Sequence, residues 1–138
     1  MRTPIVLAAL TALTALAAGC AGSPEYSAPW AMLATGNALT ADAKVRNVLL
    51  ATVDGRKVEE DRAVIAPGRR KVTVEIASRG TEGGATSVLD LDAQPCVRYW
   101  LGARRPTAPG KPWETVVVSE DALGDCETRF GLKAAPVR

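Results

Sequence analysis

The residues of this chain best suited to bind a ligand are arginines and tryptophans in its C-terminal half. Arg98 and Trp100 are two positions apart, so in a β-strand their side chains share one face. An exposed indole beside a guanidinium suits a glycan or an anionic lipid, because the ring stacks and the guanidinium offers a planar fork to oxyanions. The alternative is cation–π packing that only covers one sheet. The candidate partner-binding residues are Arg98, Trp100, Arg104, Arg105 and Trp113.

Residues that would support catalysis are scarce. The chain has no histidine, which removes the commonest general base and the commonest metal ligand. Asp90 and Asp92 share a strand face, but acid–base work or calcium binding would need further ligands or a raised pKa, so we expect a solvated face. Ser87 and Ser119 lack a histidine to activate them. We therefore predict no enzyme activity, no catalytic residue, no metal and no cofactor.

The overall charge is close to balance. The chain of 138 residues carries 17 Lys and Arg against 15 Asp and Glu, a net charge of +2. A balance so near zero gives no general attraction to nucleic acid. The length is in the usual range for one domain with a single modest core.

The N-terminal segment predicts export. Met1–Gly19 has an early cation, Arg2, followed by the apolar run Ile5–Ala18, which is too short for a membrane span with stop-transfer flanks. Leu16-Ala17-Ala18-Gly19-Cys20 resembles a bacterial lipobox. In that family the leader is cut before the cysteine, whose thiol then carries a diacylglyceryl group. The resemblance implies lipidation of Cys20, and an ordinary secretory leader with an incidental cysteine is the alternative. Ala21, in place of the Asp of an inner-membrane retention signal, implies an outer-membrane lipoprotein that faces the periplasm.

Lipidation of Cys20 would leave Cys96 and Cys126. In an oxidising envelope an even pair of cysteines most simply forms a disulfide. Closing this 30-residue loop is worth about 3–4 kcal/mol through chain entropy. A redox-active pair is not expected, because the two cysteines do not have the Cys-x-x-Cys spacing. A zinc site is not expected either, because two thiols and no histidine leave too few ligands.

Alternating side chains predict an all-β fold. Lys71–Ile76, Thr86–Asp92 and Val97–Leu101 each place apolar residues on one face, which is typical of half-buried antiparallel strands. Asp54-Gly55 and Pro67-Gly68 are turn signals. Counting segments of this kind gives about seven strands and no long helix, so we predict a small antiparallel sandwich.

The two ends of the mature chain carry further expectations. Pro29–Leu33 is compatible with a first edge strand that begins at proline. Ser119–Ala122 is compatible with a helical turn ended by Gly124, and Cys126–Phe130 with a last short strand.

The order of turns and strands over Val45–Ala103 resembles PEGA-type and carboxypeptidase regulatory-like (prealbumin-like) modules. This resemblance implies a Greek-key sandwich. Pro95–Trp100, with the later Trp113 and Cys126, resembles small uncharacterised bacterial lipoproteins, and that resemblance implies no activity.

These observations predict four segments: a cleaved leader over 1–19, a lipidated cysteine and flexible tether over 20–28, a β-sandwich over 29–131 and a tail over 132–138. The predicted function is a non-catalytic, membrane-anchored envelope lipoprotein that acts as a structural or binding module for an envelope protein or glycan. The alternative is a periplasmic carrier of a small ligand or lipid, which would need a cavity between the sheets.

Overall fold

The chain folds as two β-sheets packed face to face. The computed structural model describes residues 26–36, 44–76 and 84–134. The predicted leader and Cys20 lie outside the described residues. The elements are β1 (Ala31–Ala34), β2 (Val45–Arg46), β3 (Val48–Val53), β4 (Arg56–Lys57), β5 (Arg62–Ile65), β6 (Gly68–Ile76), β7 (Thr86–Ala93), β8 (Val97–Arg104), β9 (Glu114–Ala122) and α1 (Gly124–Phe130). The predicted all-β sandwich is confirmed.

Sheet 1 is built around β8. β9 pairs antiparallel along one edge of β8 over its whole length. The other edge has two partners in tandem: β1, parallel, at Arg98–Trp100, and β2, antiparallel, at Ala103–Arg104. β5 then pairs antiparallel with β1. Sheet 2 has the antiparallel order β4-β3-β6-β7.

Two features of the sheets differ from the sequence prediction. The described stretches contain nine strands rather than about seven, because the short β2 and β4 pair as separate segments. β1 lies between β5 and β8, so the predicted edge strand is wrong. Ala31, Leu33 and Ala34 have no exposed surface, as expected for a strand covered on both faces and both edges.

The core lies between the sheets, where the alternating patterns placed it. Val72, Val74 and Ile76 of β6 point inward, and so do Val97, Tyr99 and Leu101 of β8. On one side, the Thr115 backbone N–H of β9 donates to Ser87 Oγ of β7 at 3.0 Å, which links the sheets. Burial of this largely apolar core is the main source of stability in a domain of this size.

β9 includes the residues for which the sequence predicts a helical turn. Trp100 pairs with Ser119 and Leu101 with Val117, so Val118 is a bulge. The bulge shifts the register by one residue, and Ser119–Ala122 continues the ladder against Val97–Trp100. The predicted helical turn at these residues is therefore wrong.

The predicted last strand, Cys126–Phe130, is also wrong, because it lies in helix α1. Leu123, Cys126 and Phe130 are spaced three and four residues apart, which places them on one side of a helix. Gly124 begins this helix rather than ending one. Gly131 ends it in the left-handed region, at φ 63°, with its N–H donating to Glu127 O. Of the helices in the described residues, none has the length and hydropathy that a membrane crossing requires.

The predicted Cys96–Cys126 disulfide is confirmed and joins α1 to the start of β8, with Cα atoms 5.3 Å apart. Cys96 N–H donates to Trp30 O at 2.7 Å, and Leu123 N–H donates to Cys96 O at 2.8 Å. The Trp30 ring lies 4.7 Å from Tyr26 and 5.9 Å, edge-on, from Phe130. We call this region, made of Tyr26–Trp30, Cys96 and α1, the disulfide end.

Candidate binding surfaces

The five predicted binding residues lie in two places along β8. Arg98 and Trp100 are on the first half of the strand, whereas Arg104 ends it and Arg105 follows. At about 3.3 Å per residue, Arg104 lies about 13 Å beyond Trp100 and about 23 Å beyond Val97. Glu114 pairs with Arg104, which brings the preceding Trp113 to the same far end. The sequence prediction of one group is thus resolved into two surfaces.

The first surface, the Trp100 face, consists of Arg98, Trp100 and Asp121. Arg98 and Trp100 point away from the core because they alternate with the buried residues of β8. The Arg98 guanidinium carbon lies 5.8 Å from the centre of the Trp100 ring. Trp100 Nε1–H donates to Asp121 Oδ2 at 2.6 Å, which fixes the indole on sheet 1. Arg98 Nε is buried and has no hydrogen-bond partner.

An open depression of about 320 Å³ adjoins the Trp100 face. It is lined by Thr35, Gly36, Asp61, Arg62, Arg98 and Trp100. Thr35 holds its two walls together, since its N–H and Oγ1–H both donate to Asp61 O, at 2.9 and 3.2 Å. Asp61 and Asp121 were missed as site residues because they come from segments distant in sequence, and Asp61 sits in a charged run that resembles a solvated loop.

The second surface, the Trp113 cluster, consists of Arg46, Arg105 and Trp113. The guanidinium carbons of Arg105 and Arg46 lie 5.0 and 5.2 Å from the centre of the same indole ring. The partly buried Trp113 packs against the main core, so its position is fixed from beneath. Arg46 was missed because β2 is only two residues long and leaves no periodic pattern.

Gly102 is what allows β2 to lie close to β8. A Cβ at this position would come 2.6 Å from Val45 Cγ1 and 2.8 Å from Val118 Cγ2, both too close. The absent side chain lets Val45 and Val118 cover this part of sheet 1 from either side. It therefore supports the placement of Arg46 beside Trp113.

The loop after β8 adds a depression next to the Trp113 cluster. Residues 105–112 surround an open space of about 600 Å³. Arg105 and Lys111 supply its cations, and Pro106, Pro109 and Pro112 stiffen its walls because proline fixes φ. Two cations therefore line this open space.

The groups whose pKa the structure clearly changes are structural. Asp54 Oδ1 accepts from Lys71 N–H at 2.9 Å and its Oδ2 from Arg70 at 3.0 Å, and these bonds lower the pKa of the Asp54 carboxyl. Arg70 also donates to Ala66 O and Pro67 O, which joins two turns. Burial raises the pKa of Tyr99, although its oxygen accepts from Gln94 N–H at 2.8 Å. Over residues 26–36, 44–76 and 84–134, no group of three or more Cys, Asp or Glu is arranged to hold a metal ion.

Comparisons with protein-family models, with curated proteins and with solved structures gave no match to this chain. The resemblance to PEGA-type and prealbumin-like modules therefore stays a prediction.

Proposed function

We propose that this chain is a non-catalytic lipoprotein module, anchored through Cys20 in the outer membrane and facing the periplasm, that binds an envelope protein or glycan. The observation that carries the proposal is the pairing of each of two surface tryptophans with guanidinium groups. Trp100 has one guanidinium carbon within 5.8 Å, and Trp113 has two within 5.2 Å. Each of these surfaces adjoins an open depression.

The Trp100 face has the composition expected of a binding surface. It combines an aromatic ring, a carboxylate on Asp61 and a guanidinium on Arg98 around one depression. An indole supplies a flat apolar contact, while the charged groups select hydroxyl or carboxyl oxygens by hydrogen bonds. A sheet bound to a second sheet holds these groups rigidly, which lowers the entropy cost of binding.

The sandwich interior favours surface binding over the carrier alternative. A carrier needs an internal cavity for its ligand. Leu33, Val48, Val72, Val74 and Leu101 are each less than 2% exposed and belong to one packed cluster contributed by both sheets. Interiors packed in this way leave few voids larger than a water molecule.

The anchor is tested by labelling with palmitate. The full chain and a Cys20→Ser variant would be expressed in a Gram-negative host that is fed labelled palmitate. We expect label on the parent alone, and membrane fractionation that follows the label. Label on the variant, or none on the parent, would overturn the anchor.

Binding is tested by crosslinking in cells. A photoreactive residue at position 100 should capture an envelope component, whereas one at Val88, a 56% exposed residue on sheet 2, serves as a matched control. In the chain without a photoreactive residue, Arg98→Ala with Trp100→Ala should weaken capture by a chemical crosslinker in cells while the melting temperature stays within a few degrees. Equal capture from both positions would count against the Trp100 face, and a large loss of stability would make this face structural.

A further inference from the structure

We propose that the Trp113 cluster and the loop over residues 105–112 bind a carboxylate-bearing cell-wall glycan. This inference rests on the proposed function, and it names the partner class and the surface. The alternatives of an acidic protein and of membrane phosphate are outcomes of the test below.

Positive charge is concentrated at this end of the molecule. The stretches 44–46 and 104–114 meet where β2, β8 and β9 pair. They contain five cations and one carboxylate, a net charge of +4, and these residues are Lys44, Arg46, Arg104, Arg105, Lys111 and Glu114. The whole chain carries +2, so the remainder carries −2. Such an asymmetry attracts a polyanion to one end of an otherwise near-neutral protein.

The guanidinium groups are presented as a pair. Arg46 comes from β2 and Arg105 from the loop, yet both lie within 5.2 Å of the centre of the Trp113 ring. A guanidinium forms two parallel hydrogen bonds to a carboxylate, and one held over an indole has less freedom to lose on binding. Two such groups at one ring suit a polymer that repeats its carboxylates.

The same end offers little to a protein partner. The centre of a protein interface needs aromatic or aliphatic side chains that enter a partner's pocket. Trp113 is partly buried against the core and has guanidinium groups near its ring. Large hydrophobic residues that are exposed among the described ones lie on other strands: Leu49 on β3, Val64 on β5 and Val88 on β7. A charged, hydrated polymer fits this surface better.

The position of the tether favours the cell wall over the membrane. Five residues separate Cys20 from Tyr26, and at 3.6 Å or less per residue Tyr26 stays within about 22 Å of the lipidated cysteine. Tyr26 stacks on Trp30 at the disulfide end. β8 runs from that end for about 23 Å to Arg104. A domain held by its disulfide end thus presents the Trp113 cluster away from its own lipid headgroups.

The test is co-sedimentation of the full chain with purified, insoluble cell-wall sacculi over a range of salt concentrations. The variant Arg46→Ala/Arg105→Ala removes both guanidiniums of the cluster. The matched control, Arg56→Ala/Arg69→Ala, removes two exposed cations of β4 and β6 and leaves the same net charge. We expect the cluster variant to bind at least tenfold more weakly and the control within twofold of the parent. Affinity should fall as salt rises, because the contacts are ionic.

Two further experiments identify which ligand supplies the negative charge that the cluster binds. Sacculi whose carboxylates have been amidated should bind much less of the parent chain than untreated sacculi do. Vesicles of anionic phospholipid should bind the cluster variant and the parent equally, because the acyl chains on Cys20 act in both. A loss of vesicle binding by the variant as large as its loss on sacculi would overturn the assignment to a glycan. If the cluster variant and the parent sediment equally, the Trp113 cluster is not the binding site. Capture of an acidic protein by a crosslinker at position 105 in cells would also overturn the proposal of a glycan. Failure of the parent to sediment would end this inference, while palmitate labelling and crosslinking at position 100 would still decide the proposed function.

Discussion

Two tryptophans at opposite ends of the sandwich have opposite surroundings. Trp30 lies among Tyr26, Phe130, Leu123 and the disulfide, and its carbonyl accepts from Cys96. Trp113 touches the main core on one side and has the cations Arg46 and Arg105 near its ring. The Trp30 ring packs into a second apolar cluster, whereas the Trp113 ring lies beside two arginines at the surface.

This contrast separates the residues that hold the fold together from those of the proposed binding surface. At the disulfide end, a covalent bond and aromatic contacts hold Tyr26 and α1 against the start of β8. At the far end, the rigid Trp113 ring loses little conformational entropy when a ligand binds. It also restrains the flexible side chains of Arg46 and Arg105. Substitutions at the two ends should therefore affect different measurements.

The largest effect should come from the disulfide. Cys96→Ser should lower the free energy of unfolding by about 3–4 kcal/mol, because the unfolded chain regains the freedom of a 30-residue loop. Urea unfolding of oxidised parent and variant measures this loss. Cys126→Ser should match it, and reduced parent should approach both. Variants as stable as the oxidised parent would show that the bond contributes no stability.

Next comes a direct contrast between the two tryptophans. Trp30→Ala should cost about 2–3 kcal/mol, because it removes the ring that joins Tyr26 to Phe130 and opens a cavity beside the disulfide. Trp113→Ala should cost about half as much and should weaken sedimentation with sacculi. Urea unfolding and the binding assay on both variants give the comparison. Equal losses in both assays would remove the proposed separation.

A smaller effect is expected at Tyr99, whose ring is in the core. Tyr99→Phe should cost about 1 kcal/mol at pH 8, since Gln94 N–H loses its acceptor. The pKa of Tyr99 is raised above 10, so its contribution is complete below pH 10 and is lost as pH rises through the folded-state value. The stability difference between parent and variant should shrink in urea unfolding above pH 10. A difference that does not vary with pH would mean that Tyr99 does not titrate in this range.

The smallest effect is expected at the exposed turn residue Asp54. Its pKa lies below the ordinary 3.8, so the carboxylate stabilises the fold above pH 3.8 and this contribution is lost as pH falls through the folded-state value. Asp54→Asn should lower the melting temperature slightly at pH 7 and flatten its decline below pH 4. Melting curves of the two proteins from pH 7 to pH 2.5 test this, and parallel curves would exclude Asp54 as a contributor.

The sequence predicts best the strands that have one buried face and one solvent-exposed face. Lys71–Ile76 and Val97–Leu101 alternate cleanly, and both are strands with the expected residues inside. The predicted disulfide depended only on counting cysteines in an oxidising compartment. These features depend on local pattern and chemistry, which a single sequence contains.

The errors are at positions that tertiary contacts decide. Ser119–Ala122 has turn-forming residues, but the bulge at Val118 and pairing with β8 extend the strand. The segment after Gly124 is too short for a clear period, and the disulfide and Trp30 favour its helical form. Arg46 lies beside Trp113 only because the two-residue strand β2 pairs with β8 next to Gly102. None of these contacts is visible in local composition.

The parallel pairing of β1 with β8 has a mechanical consequence. If Cys20 anchors the start of β1 and a cell-wall polymer holds the end of β8, tension pulls these neighbours along their length in opposite directions. The load is then shared by all their hydrogen bonds at once, as shear, instead of opening them one by one. Single-molecule pulling through residues 26 and 104 should therefore need a higher force than pulling through residues 68 and 93, which separates the paired strands β6 and β7 one hydrogen bond at a time from their open end; similar forces would contradict this. A strand order that looks like a departure from a simple antiparallel sandwich would make the module a strong link between membrane and wall.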